Sequence, residues 1–171
     1  IDLYEDAIYR FGYISPTCNG PDDLNYYTIT NGAIFQAGSS QTDMLLYRLN
    51  SLPPEAAFLG WDRSTSVPSS LRILHHPEGD VMKVSRDNDN LVVNTSTVQT
   101  TGLSYNAGTV WLYDLEQGMT EGGSSGGPYV NQSNRIVGQH LADDRSCEGS
   151  GIGGRFSSSW TGGGTNNTRL S

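Results

Sequence analysis

Apolar residues along this chain fall in short runs punctuated by Gly, Pro, Asn, Asp and Ser, the spacing of strands joined by turns. Residues 1–14 are aromatic and irregular, with room for one strand, and 16–23 form a turn-rich loop carrying Cys18. Strands are expected at 26–29 and 33–36, around the hairpin dipeptide Asn31-Gly32. Residues 43–49 (DMLLYRL) read as a strongly apolar strand that opens with an acid. Pro53-Pro54 breaks the chain and divides it into units 1–52 and 53–171. In the second unit, strands are expected at 56–61, 71–75 and 81–85, with a turn at 77–80. The pattern continues through 90–101, 105–115 and 135–141. Residues 149–154 read as a glycine-rich loop and 155–160 as the final strand. No stretch has helical periodicity and no internal repeat is visible, so the expected class is all-β.

Composition narrows the partners. Hydrophobic residues make up 35% of the 171 positions, enough for a core, and charged residues only 16%, too few for a charge-driven disordered chain. The net charge of −8 argues against nucleic acid or an anionic membrane as partner. No apolar run is long enough to span a bilayer. The start at Ile1 is not that of a fresh translation product, so a mature chain or a fragment is expected. Two cysteines, Cys18 and Cys147, can pair with each other, stay free, or pair with residues outside the chain, and cannot hold zinc unaided. Sequons at Asn94, Asn131 and Asn166 hint at a secreted glycoprotein.

The most informative segment is Gly122-Gly123-Ser124-Ser125-Gly126-Gly127-Pro128. Glycines on both sides let the backbone turn tightly and aim its N–H groups at one point. A serine held there can attack a carbonyl while those N–H groups hold the oxyanion. Such a nucleophile needs a base, usually histidine, and a group to orient it. The histidines are His75, His76 and His140, and the favoured acid is Asp43, at the mouth of its apolar strand.

Three stretches together resemble the trypsin-like serine proteases, most closely the bacterial lysyl endopeptidases. They are Thr42-Asp43-Met44-Leu45-Leu46; Phe58-Leu59-Gly60-Trp61-Asp62-Arg63 with Leu74-His75-His76-Pro77; and 118–128, which carries the serine turn. Ser159-Trp160-Thr161-Gly162-Gly163-Gly164 looks similar too. The resemblance implies a double antiparallel β-barrel with the active site between the barrels. Ser125 is then the nucleophile, Asp43 the residue that orients the histidine, and the N–H groups of Gly123 and Ser125 the oxyanion hole. No metal or organic cofactor is implied, and the substrate is a polypeptide met outside the cell. Ser124 stands where many relatives have an aspartate that pairs with a freed N-terminus, so Ile1 is not read as an activating terminus.

The chain also departs from the family. The family's catalytic histidine precedes its aspartate, and no histidine precedes Asp43. The resemblance therefore implies that the first barrel is incomplete and that the base lies in an N-terminal segment outside this chain. It also implies that Cys18 and Cys147 pair with cysteines of that segment. Gly151 falls near the family's lysine-binding aspartate, so lysine specificity is not carried over. Asp143 and Asp144 replace a Gly-Gly stretch lining the groove. His140 and Leu141, with Gly151, are expected to border the substrate. The order Asp43, His76, Ser125 also matches subtilisins, but their serine opens a helix, whereas Ser125 lies between strands, so His75 and His76 are assigned to a packing turn. The three tryptophans are expected in the core or cleft wall, and Asp22-Asp23, 87–89 and Asp143-Asp144 in solvated turns. Two functions follow: a serine endopeptidase present without its histidine, or an inactive protease-like protein serving as a secreted binding or structural glycoprotein.

Overall fold

The computed structural model describes residues 6–18, 20–22, 25–30 and 32–171; Ile1, Asp23 and Asn31 of the hairpin signal lie outside the described residues. Among the described residues, fourteen strands and one α-helix follow in chain order. They are β1 (Tyr9–Phe11), β2 (Tyr27–Ile29), β3 (Ala33–Ser39), β4 (Met44–Leu49), β5 (Gly60–Trp61), β6 (Leu71–His75) and β7 (Lys83–Asp87). Then come β8 (Val92–Val93), β9 (Val98–Thr100), β10 (Leu103–Tyr105), β11 (Val110–Asp114), β12 (Pro128–Val130), β13 (Arg135–Asp143), β14 (Ser150–Arg155) and α1 (Phe156–Thr161).

One large sheet runs β7-β6-β12-β13-β14-β11-β8, antiparallel throughout, with β5 added parallel to β13. Its inward positions follow the period of two: Leu71, Ile73 and His75 of β6 are buried while Arg72 and Leu74 between them are not. Leu71, Ile73, Leu91, Trp111, Tyr113, Leu115, Tyr129 and Val137 form the core. The sheet closes on itself where the segment after β11 meets β7, through Glu116 N–H to Arg86 O (2.9 Å) and Arg86 N–H to Gln117 O (2.8 Å).

Among the described residues, the strands before Pro53 pair with one another, β1 with β2 and β3 with β4. The two strands around Asn31-Gly32 thus belong to different sheets rather than to one hairpin. The β3–β4 ribbon leaves Ile34, Phe35, Leu45 and Leu46 exposed. It is strapped to the C-terminal tail by Gly38 N–H to Asn167 O (3.0 Å) and to β13 of the large sheet by Gln139 Nε2 to Thr42 O (2.6 Å).

Two sequence expectations are corrected at the C-terminal end. The glycine-rich stretch 149–154 is strand β14, paired with both β11 and β13, because its glycines leave room for the tyrosines of the barrel interior. The expected strand at 155–160 is helix α1: Phe156 and Trp160, four residues apart, share one side with ring centroids 6.2 Å apart, and Ser159 is fully buried. Farther back, 56–61 narrows to Gly60–Trp61, with Phe58 exposed. Trp111 is core, whereas Trp61 is exposed and stacks on Phe156.

Candidate functional site

The turn between β11 and β12 is held from three sides. Ser124 N–H donates to Glu121 O (3.0 Å) and Gly127 N–H to Ser124 O (3.0 Å), closing it locally. Gly126 N–H donates to His140 O and His140 N–H to Gly127 O, both at 2.9 Å, tying it to β13. Glu78 N–H, in the 3-10 turn Pro77–Gly79, donates to Gly122 O (2.6 Å). Gly123 sits at φ +91°, and a β-carbon there would lie 2.9 Å from His76 O. Ser125 is exposed at the apex while Ser124 points inward and is buried. Among the described residues, no acceptor takes the N–H of Gly123 or of Ser125.

Asp43 ends the β3–β4 turn in the left-handed region, φ +52°, which aspartate tolerates better than most residues. Its carboxylate is exposed, and Thr42 beside it is buried. Asp43 and Ser125 both line one cavity of about 580 Å³, together with Tyr105, Glu121, His140 and Leu141.

The three histidines of the chain have other partners. His140 is 2% exposed. Its Nε2–H donates to Asp143 (2.9 Å), and its Nδ1 faces the hydroxyls of Tyr129 (3.1 Å) and Tyr113 (3.3 Å). Burial holds its pKa below the usual histidine value, against the pull of Asp143. The same burial pushes Tyr113 up to about 12. His75 is likewise buried, with Nδ1 2.8 Å from Ser124 Oγ and Nε2 3.0 Å from Ser85 Oγ. Desolvation lowers its pKa to about 4. His76 is exposed, donates from Nδ1 to Asp80 O (3.0 Å) and stacks on Tyr13. No imidazole of this chain hydrogen-bonds Ser125.

A second cavity of about 600 Å³ shares Gln99, Thr100, Ala142 and Asp143 with the first. Gly151 lines it, opposite Tyr113 on β11 and Asp143 on β13. A β-carbon at 151 would collide with the hydroxyl and ring of Tyr113, which fills the space of any side chain there. Two expected solvated acids are corrected. Asp143 accepts from His140 and from Arg145 N–H (2.7 Å), with its side chain 9% exposed. Asp87 is buried and accepts Asp89 N–H (2.8 Å) and Asp114 N–H (3.3 Å). Its oxygens lie near those of Asp89 and Glu116, and those backbone bonds account for its place.

Cys18 and Cys147 are exposed free thiols. Asn94 and Asn131 are buried, and Asn94 spends its amide on Ser96 O (2.9 Å) and Asn106 O (2.8 Å), which leaves no room for a glycan in the folded chain. Asn166 is exposed. Sequence reasoning missed the buried pair Ser124–His75. The available signal was the alternation Leu71, Ile73, His75, which turns the histidine inward with the core.

Comparison with solved structures places this architecture in a class. The active form of the Rv3671c protease from M. tuberculosis matches with a TM-score of 0.57, at 13% identity, over 89% of this chain and 77% of that one. The MamO protease domain from Magnetospirillum magneticum matches at 0.51, with 14% identity, over 75% and 64%. The fold is the trypsin-like double antiparallel β-barrel, with the first barrel incomplete.

Sequence then narrows the class to a family. The family described as lysyl endopeptidase, C-terminal domain, matches residues 5–155, and the chain belongs to it. A lysyl endopeptidase of Pseudomonas aeruginosa is 33% identical over 101 residues, 57% of this chain. The aligned part is 20% of that relative, so the chain spans about a fifth of its length.

Proposed function

We propose that this chain is the nucleophile-bearing part of an extracellular trypsin-like serine endopeptidase, with a polypeptide substrate. The observation that carries this reading is the shared cavity: Ser125, at the apex of a glycine turn, and Asp43 line the same cavity. Residues 1–52 contribute part of a first barrel and 53–171 the second. An N-terminal segment of the same protein completes the first barrel and brings an imidazole between Asp43 and Ser125. That imidazole takes the Ser125 proton as Oγ attacks the scissile carbonyl, and Asp43 orients it. The N–H groups of Gly123 and Ser125 hold the oxyanion. The imidazolium then protonates the leaving amine, and water hydrolyses the acyl-enzyme by the same steps. No cofactor is required. His140 and Leu141 border the cleft, the ring of His140 being held inward. Cys18 and Cys147, both at the surface, pair with cysteines of the added segment, and the exposed Asn166 is the sequon open to a glycan.

A second reading is an inactive relative that binds rather than cleaves. The engagement of all three histidines away from Ser125, and the filling of position 151 by Tyr113, favour it. Fluorophosphonate labelling of the full-length protein decides. Labelling abolished by Ser125→Ala supports the protease, whereas no adduct at Ser125 supports the binder. The 171-residue chain alone is expected to react slower by about 10⁴-fold or more, since a missing base costs that much.

A further inference from the structure

We propose that His75 is a positioning residue for the nucleophile turn: its buried ring clamps Ser124, the neighbour of Ser125, to Ser85 on β7. This inference rests on Ser125 being the nucleophile.

The hydrogen bonds have a single consistent direction. Ser85 Oγ donates its proton to Met119 O at 2.9 Å. Toward His75 it therefore accepts, and Nε2 of the ring carries the hydrogen (3.0 Å). Nδ1 is then bare, and it accepts from Ser124 O–H (2.8 Å). Ser124 Oγ in turn accepts Glu121 N–H at 3.0 Å. Each hydroxyl and ring nitrogen in the relay has a partner, and the relay runs from the backbone of Glu121 to the backbone of Met119. Both ends lie in the loop that leads into the Ser125 turn, so a rigid ring on β6 spans that loop from within.

The relay acts on geometry. Ser124 is buried and Ser125, next to it in the turn, is exposed, so the clamp holds the residue adjoining the nucleophile. Ser124 O also accepts Gly127 N–H, so a shift at Ser124 passes into the turn that presents Ser125. Fixing a nucleophile and its oxyanion donors before substrate arrives is what makes such donors effective. The charged and titratable groups near the ring are His76 on its own strand end, Lys83 across from it on β7, Glu121 in the loop, and His140 with Asp143 on β13. Desolvation outweighs Asp143, the one neighbour that raises the pKa of the ring, so the ring stays neutral down to about pH 4. Below that, a proton on Nδ1 would face the Ser124 hydroxyl and oppose the clamp.

The test uses full-length protein with 15N-histidine, and the variants His75→Leu, His75→Asn and Ser85→Ala. The ring of His75 is expected to show nitrogen shifts of a neutral Nε2–H tautomer and to titrate far below an ordinary histidine, and Ser124→Ala is expected to move the Nδ1 shift. Fluorophosphonate labelling of Ser125 is expected to slow about tenfold or more in His75→Leu, the rate constant falling while inhibitor affinity holds. Asparagine retains an acceptor for Ser124, so His75→Asn is expected to recover most of the rate and to lose only the further fall that protonation of the His75 ring near pH 4 adds below the limb set by the catalytic imidazole. If His75→Leu fails to fold, Ser85→Ala, which keeps the ring, is expected to shift the tautomer and slow labelling several-fold. An Nδ1–H tautomer, a ring titrating near pH 6.5, or wild-type labelling rates in the folded leucine variant would overturn the clamp. If wild-type protein does not label at Ser125, the protease reading fails instead, and tautomer and Ser124→Ala shift decide the clamp alone.

Discussion

The hydroxyls of Thr42 and Ser159 meet at 2.8 Å in a buried contact that spans 117 residues of sequence. Ser159 also donates to Arg155 O (3.2 Å), so it accepts from Thr42. With Gln139 Nε2 on Thr42 O (2.6 Å), this contact joins the residue before Asp43 to both α1 and β13. The position of the candidate acid thus depends on the C-terminal helix.

Ser159→Ala is expected to leave the Thr42 hydroxyl buried without its acceptor and to cost about 1–3 kcal/mol. Adding Thr42→Val is expected to cost less than the sum of the two single changes, because the second removes the orphaned group. Urea denaturation of the four proteins measures the coupling.

Placing an acid at position 151 is expected to fail on its own. Gly151→Asp drives a side chain into the ring of Tyr113, and overpacking of this kind costs about 1–3 kcal/mol. Tyr113→Ala made together with it is expected to be less damaging than the two separate losses added. Thermal unfolding of the set checks this.

Two glycines of the serine turn separate backbone strain from crowding. Gly126 has φ +80° with open space around its missing side chain, so Gly126→Ala is expected to cost about 1 kcal/mol. Gly123, at φ +91°, also faces His76 O and Glu78 N, and Gly123→Ala is expected to cost more than Gly126→Ala. Denaturation midpoints rank the two, and labelling at Ser125 is expected to suffer more from the change at Gly123.

Stability is expected to fall on mild acidification. The folded chain holds His75 at about 4 and His140 below its ordinary value, both by burial, while an unfolded chain protonates histidine near pH 6.5. Between those values the unfolded state binds more protons, so stability is full above about pH 6.5 and is lost progressively toward pH 4. The His75 share stops growing below pH 4, where both states are charged. Urea midpoints across this range should fall with pH, and more gently in His75→Asn.

Much of the fold was legible in the sequence because strands declare themselves locally. Residues 71–75 alternate apolar side chains and form β6 to the residue, whereas the expected run 105–115 divides, its first residue ending β10 and Val110–Asp114 forming β11. The glycines of 149–154 read as a loop because their lack of side chains hides what they pack against; the tyrosines of β11 and β12 occupy that space. Helix α1 was missed because six residues are too few for a period to show. At the site, the serine turn was legible from its glycines. The roles of His75 and His140 were not, since a histidine's partners come from strands far apart in sequence.

By itself, the sequence determined the class of the chain, its strand-forming runs and the glycine turn around Ser125, because those depend on backbone freedom and on side-chain patterns a few residues long. The tertiary structure alone decided which groups share a cavity, that Tyr113 fills the space beside Gly151, and that His75 and His140 are turned inward, where burial lowers their pKa values. Those outcomes depend on burial and on hydrogen bonds across the sheet, which no local pattern encodes.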